Sequence, residues 1–255
     1  MRTTLFPLLL LVSCSTVPVT GRRQLRLISD DTEAKLGLEA YQDTLQKSKL
    51  VASGADLETV RRVGARIAKV SHEPGFAWEF NLIDDPKTVN AFCLPGGKVA
   101  VYTGILPLTQ TEEGLAAVMG HEIAHAIAHH GAERMAQGEI VGAVGTALDA
   151  GLSKSSARTR EAALAVFGVG ANVGVLLPFS RKHESEADEI GLDYMARAGY
   201  DPRQAVEFWR RMAAHGGSKP PEFLSTHPSD ETRIADLERL LPKALETYER
   251  RGGRR

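Results

Sequence analysis

Apolar residues return at helical spacing over 31–50 (Leu36, Ala40, Leu45) and again over 56–71 (Leu57, Val60, Val63, Ile67, Val70), with polar faces between them. Two amphipathic helices are predicted, separated at Ser53-Gly54. The period then changes: Phe76, Trp78, Phe80 and Leu82 alternate, and Asp84-Asp85-Pro86-Lys87 is a turn signal. A small sheet follows from this, with strands over 77–83, 89–92 and 99–103 and a turn at Pro95-Gly96-Gly97. A long helix is predicted from Thr111, its N-cap, with Glu112 and Glu113 in a first turn where the dipole favours acids. Residues 138–177 hold two Gly- and Ala-rich apolar runs around a polar stretch; interrupted by Asp149 and Asn172, they fall short of spanning length and predict an amphipathic hairpin or flap. Helices resume over 184–197, over 202–213 with Asp201 as N-cap and Pro202 first, and from Asp230 to Arg250, before a frayed basic tail.

The balance of 31 basic and 32 acidic residues gives a net charge of -1, so no general field draws nucleic acid, and no nucleic-acid partner is expected. Two cysteines, Cys14 and Cys93, do not make a disulfide framework. Residues 1–13 read as a signal peptide, one basic residue before a short apolar stretch. Leu11-Val12-Ser13-Cys14 resembles the lipobox of bacterial lipoproteins, which implies lipidation at Cys14 and a membrane anchor; Ser15 after it favours the outer membrane. Residues 14–29 are then a lipidated tether, and 30–250 the folded domain.

Chemistry is concentrated in His121-Glu122-Ile123-Ala124-His125. On a helix, residues four apart lie about 6 Å apart along the axis and roughly 40° apart around it. Both imidazoles can therefore reach one metal ion, while Glu122 can project beside it, where it could take a proton from a metal-bound water. Extending the same helix puts His129 too far along the axis and His130 on the opposite side, which predicts surface or capping roles; Glu133 and Glu139 are expected to be solvated. A metzincin would need Gly at 128 and His at 131, where this chain has Ala128 and Gly131. For a third ligand, a helix beginning near Glu184 sets Glu184 and Asp188 on one face and turns Glu186 away.

Four ordered motifs, "VNAFCLPGGKVAVYTGIL", "HEIAH", "ESEAD" and "STHPSDETR", resemble the gluzincin zinc endopeptidases of the HtpX and CAAX prenyl protease type, and within them the periplasmic lipoprotein branch of BepA and LoiP. The resemblance implies an α+β fold, a mainly helical zincin-type metallopeptidase domain with a small sheet next to the His-Glu-x-x-His helix. It implies one zinc per chain on His121, His125 and Glu184, with Glu122 as general base. It pairs Asp188 with Arg233, and sets His227 by the metal either to stabilise the oxyanion or to latch the open coordination position. Asn90, Ala91, Pro95, Gly96 and Gly97 would hold an extended substrate strand by main-chain pairing. Cys93 within that segment reads as a small buried hydrophobe.

The activity expected is hydrolysis of unfolded or misassembled proteins on the periplasmic side of the bacterial cell envelope, with envelope assembly machinery as a further partner. The competing expectation is a chaperone-like peptide-binding lipoprotein whose zinc is latched or structural, since His227 could complete four protein ligands.

Overall fold

The computed structural model describes residues 13–73, 75–215, 223, 227 and 231–253. The expected signal segment, apart from Ser13, lies outside these residues, as does Asp230. The two amphipathic stretches form α1 (Asp30–Gln46) and α2 (Ala55–Val70). Ser29 caps α1 by accepting the Thr32 amide, and α2 buries Leu57, Val60, Val63 and Ile67, the stripe set by its spacing. Gly54 enters α2 at φ 130°, a conformation that a side chain would strain.

The alternating region gives β3 (Glu79–Ile83), β4 (Ala91–Leu94) and β5 (Lys98–Tyr102) in the order β3-β5-β4. β5 is central, antiparallel to β4 and parallel to β3, and its Val99, Ala100 and Val101 are buried on both faces. β4 is left at the edge. Gly96 and Gly97 turn the chain between β4 and β5 with φ of 81° and 83°.

Residues 14–29 differ from the extended tether expected of them. β1 (Ser13–Thr16) and β2 (Arg23–Arg26) pair as an antiparallel hairpin, and the hairpin loop carries Thr20 and Arg22, both half-buried, onto the buried carboxylates of Glu133 and Glu186. The polar residues of this segment therefore serve long-range ion pairing rather than solvation.

A short helix, α3 (Leu106–Thr109), leads into α4 (Glu112–Ile127), with Thr111 accepting the Gly114 amide as its cap. α4 is buried all round from Gly114 to Ile127, which its many small residues allow. It ends at Ala128; His129 adopts the left-handed conformation, and α5 (His130–Gly151) sets off in a new direction. α6 (Ala157–Ala171) returns along α5, with Phe167 against Gly145. A π-helical turn, Asn172–Leu176, joins α6 to α7 (Leu177–Arg197), so the third-ligand helix starts earlier than expected. Counting the apolar runs separately at Asn172 also underestimates the segment: by length and composition alone, the continuous helix Ala157–Arg197 is apolar enough to cross a membrane. Val144, Val166 and Val169 on this hairpin are exposed. Among the described residues, α8 (Arg203–His215) and α9 (Glu231–Arg250) follow, and α7 packs between α4 and α9.

Candidate metal centre

α4 and α7 cross with almost no side chain between them. Gly120 faces the backbone of Gly191, and a Cβ on Gly191 would lie 3.1 Å from the His121 amide nitrogen. This approach brings His121 and His125 of α4 to Glu184 of α7. His121 Nε2 lies 3.1 Å from His125 Nε2 and 3.3 Å from Glu184 Oε2, and His125 Nε2 lies 3.4 Å from Glu184 Oε1. His227 completes the group, its Nδ1 being 3.3 Å from His121 Nε2 and 3.2 Å from Glu184 Oε2. All four residues are buried.

These separations test whether zinc fits. Four ligands at the usual Zn–N and Zn–O lengths, arranged as a tetrahedron, are about 3.3 Å from one another along each edge. With Glu184 taken through Oε2, the His121–His125, His121–Glu184, His121–His227 and His227–Glu184 edges span 3.1–3.3 Å. Ring nitrogens and a carboxylate at these distances do not satisfy one another well as hydrogen-bond partners, but they match the edges of one coordination shell. The donor set, ring nitrogens and a carboxylate, suits zinc.

Behind His121 stands Asp188, with Oδ1 2.9 Å from His121 Nδ1 and accepting Arg233 Nη2 at 2.7 Å. Burial opposes the charge on Asp188, but Arg233 and His121 hold its pKa below the ordinary carboxylate range. The Arg233 guanidinium lies over the Trp209 ring, and Trp209 stacks on Phe223, which packs against His227. The Asp188–Arg233 pairing implied by the resemblance is present. The aromatic wall was not foreseen, because no spacing in the sequence ties residue 209 to residue 121.

Glu122 lies beside the donors; its Oε1 is 3.3 Å from His227 Nε2 and makes no hydrogen bond among the described residues. Burial pushes its carboxyl up to about 7. Burial also opposes ionisation of Glu184, but the rings of His121 and His227 outweigh it and hold that carboxyl far below its ordinary value. The two glutamates are thus driven apart, one ionised toward the donors and one poised to exchange a proton.

The structure corrects the reading of the residues after the motif. His130 is fully buried rather than on the surface, and its Nδ1 meets His125 Nδ1 at 2.8 Å. Its Nε2 meets Glu186 at 2.9 Å, and burial lowers its pKa to about 4, favouring the neutral ring. Glu133 is buried, not solvated: it accepts both terminal nitrogens of Arg22 and lies 3.0 Å from His183 Nε2. Burial disfavours the charges on Glu133 and Glu186, yet their His and Arg partners hold each at about 2. His129 lies 2.8 Å from Glu33 of α1. Helical phase carried past residue 127 misplaces His130 and Glu133, because the helix breaks at His129, which stands at the start of α5 outside the donor group.

The remaining candidates lie in other elements. Ala91 is in edge strand β4, which packs on α4, and Asn90 immediately precedes it, accepting the Tyr102 amide. Pro95, Gly96 and Gly97 make the hairpin turn, where Gly37 of α1 closes on Pro95 and Trp78 on Gly97. Cys93 is buried on β4, as expected of a small hydrophobe. Cys14 sits in β1 opposite Leu25.

Residues 55–241 match the model of peptidase family M48. The chain belongs to this family. It is 42% identical over 233 residues, 89% of its length, to the mitochondrial metalloendopeptidase OMA1 of Schizosaccharomyces pombe, covering 66% of that protein. It is 33% identical to the mitochondrial metalloendopeptidase OMA1 of Homo sapiens over 91% of this chain and 47% of that one. Against the β-barrel assembly-enhancing protease of Escherichia coli, identity is 30% over 88% of this chain and 47% of the relative. The chain therefore spans two thirds or less of the length of these relatives.

These matches correct the expected location. The bacterial cell envelope rested on the lipobox-like motif and on likeness to periplasmic proteases, yet relatives named as mitochondrial are the more similar ones, at 42% against 30% identity. For the same reason the periplasmic lipoprotein branch is not singled out within the family.

Proposed function

We propose that this M48 chain is a zinc-dependent endopeptidase acting on unfolded or misassembled proteins. The observation that carries the reading is the buried donor group with tetrahedral edge lengths beside Glu122, whose Oε1 has no hydrogen-bond partner among the described residues and whose carboxyl is raised by burial to about 7. His121, His125 and Glu184 would hold the metal. When bound, zinc supplies Lewis acidity that acidifies a water and polarises the scissile carbonyl. Glu122 would take the proton at its carboxylate and pass it to the departing amine, a role suited to a carboxyl whose pKa is near 7. Edge strand β4, packed beside α4, offers main-chain groups to an extended peptide, which would select for unfolded segments rather than for sequence.

His227 supports a second reading of the same site. Its position in the donor group makes a four-ligand, closed centre, and in that state the chain would bind peptides without cleaving them. The decisive set of measurements is zinc content and casein cleavage in the wild type, Glu122→Gln and His227→Ala. The endopeptidase reading expects Glu122→Gln to retain zinc while cleavage falls by about 10²- to 10⁴-fold. A gain of cleavage in His227→Ala identifies a latch, and a loss identifies a transition-state role. Zinc-loaded wild type and His227→Ala that both leave casein intact would refute the enzyme and favour a binding module.

A further inference from the structure

The two histidine ligands are held from behind in different ways. His121 Nδ1 meets a carboxylate directly, that of Asp188. His125 Nδ1 meets the imidazole of His130, and only beyond that ring comes a carboxylate, Glu186. Glu186 in turn accepts the Thr20 hydroxyl at 2.6 Å and Arg22 Nε at 2.8 Å, both from the loop of the N-terminal β-hairpin.

The direction of each hydrogen bond follows from the chemistry at the ends. His125 turns Nε2 toward the donor group, so as a neutral ligand it keeps its proton on Nδ1 and donates there. His130 Nδ1 must then accept, which leaves the proton on His130 Nε2 to be donated to the Glu186 carboxylate. Glu186 is acceptor-only and receives from Thr20 and Arg22. Every donor along this path finds an acceptor: Glu186 Oε2 takes both His130 Nε2 and Arg22 Nε, on separate lone pairs, and Oε1 takes the Thr20 hydroxyl. The His130 ring cannot swing, because it stacks on His183 with centroids 4.2 Å apart, and His183 is pinned by Glu133, itself clamped by Arg22.

We propose that His130 and Glu186, anchored by Arg22 of the N-terminal hairpin, are positioning residues that fix the tautomer and orientation of the zinc ligand His125. Thr20 and Arg22 lie before the 55–241 segment that defines the family, so the metal centre extends into a part of the chain outside that segment. A ligand histidine ordinarily has one such partner, and removing it weakens metal affinity about 10- to 100-fold.

The proposal rests on zinc binding at the site, so its test reads zinc affinity by chelator competition on the full chain, with or without peptidase activity. His130→Phe keeps the ring against His183 and removes both hydrogen bonds; Arg22→Ala acts on the same path from its outer end. His130→Phe is expected to weaken zinc about 10- to 100-fold and to alter the visible absorption of the cobalt-substituted chain, while Arg22→Ala gives a smaller loss. Because Arg22 acts through His130, the double variant should lose no more than His130→Phe alone. His130→Asn, which can still accept from His125, should recover part of the loss and stands in if the Phe variant does not fold. Unchanged affinity in folded single variants, or fully additive losses, overturns the relay while leaving the endopeptidase reading intact. A wild type that binds no zinc overturns both.

Discussion

The helix crossing under the metal centre makes a sharp prediction at Gly191. A Cβ there would lie 3.1 Å from His121 N, 3.2 Å from Gly120 C and 3.3 Å from His121 Cα, where ordinary contact begins at 3.4 Å. Alanine therefore pushes α7 from α4 by a few tenths of an ångström. Such overpacking costs on the order of 1 kcal/mol, and the helix propensity gained from replacing Gly offsets about as much. Leucine places further carbons into the α4 backbone and forces a displacement of roughly an ångström or more, costing about 2–3 kcal/mol. Asp188 is one turn away on the same helix, and its 2.9 Å contact with His121 Nδ1 cannot survive a shift of that size.

Gly191→Ala should thus melt near the wild type in the metal-free state, whereas Gly191→Leu should melt about 4–12 °C lower. With the His121 support lost, the Leu variant should also bind zinc about 10- to 100-fold more weakly. Differential scanning calorimetry and chelator competition on the purified chains measure both effects. A Leu variant with wild-type melting and wild-type zinc affinity would show that the crossing does not set the geometry of the ligands.

Two further outcomes follow from the surrounding charges. Arg233→Ala leaves Asp188 buried beside His121 without its cation, so denaturant unfolding should report a loss of about 3–5 kcal/mol. Glu133 and Glu186, held at about 2 against 4.5 for a free carboxyl, contribute stability that is complete above pH 4.5 and is lost as pH falls toward 2; melting of Arg22→Ala should show a weaker dependence on pH across that window.

The sequence exposes the parts of this site that local periodicity controls. His121 and His125 are legible because a four-residue spacing on one helix fixes their relation, and the Glu184–Asp188 face is legible for the same reason. Periodicity stops being informative where the helix stops. The break falls at His129, a non-glycine residue in the left-handed conformation, with the nearest glycine, Gly131, two residues beyond it, so phase extrapolation turns His130 away from the very ligand it touches. The N-terminal hairpin is hidden for a different reason. Its polar residues pair with Glu133 and Glu186, more than a hundred positions away, and a polar stretch without period reads as a linker when its partners are not local. The sheet shows an intermediate case: alternation marks the strands, but placing β5 between β3 and β4 depends on Val99, Ala100 and Val101 being buried on both faces, a consequence of packing on neighbouring elements.

Charge balance around the donor group links metal to stability. Glu122, Glu184 and Asp188 are three buried carboxyls, and among the described residues Arg233 is the buried guanidinium that bonds to this group. With neutral imidazoles, full ionisation leaves two negative charges unmatched, the charge that a divalent cation carries. In the metal-free chain the strain falls on Glu122, whose carboxyl is raised from 4.5 to about 7, by burial first and by the neighbouring Glu184 charge after it. A carboxyl raised on folding binds its proton more tightly in the native state, so stability declines as pH rises from 4.5 to 7 and the full penalty applies above that. The size of the shift makes this penalty on the order of 3 kcal/mol. Glu122→Gln removes the charge with little change of shape. The metal-free Gln variant should therefore be more stable than metal-free wild type at pH 8, and the difference should vanish near pH 4.5. Thermal melting in chelator at the two pH values measures it, and zinc should narrow the gap at pH 8 by supplying the missing positive charge. Equal melting of the two metal-free chains at pH 8 would mean that Glu122 is not under electrostatic strain, and the coupling of zinc to folding would then need a source other than these carboxylates.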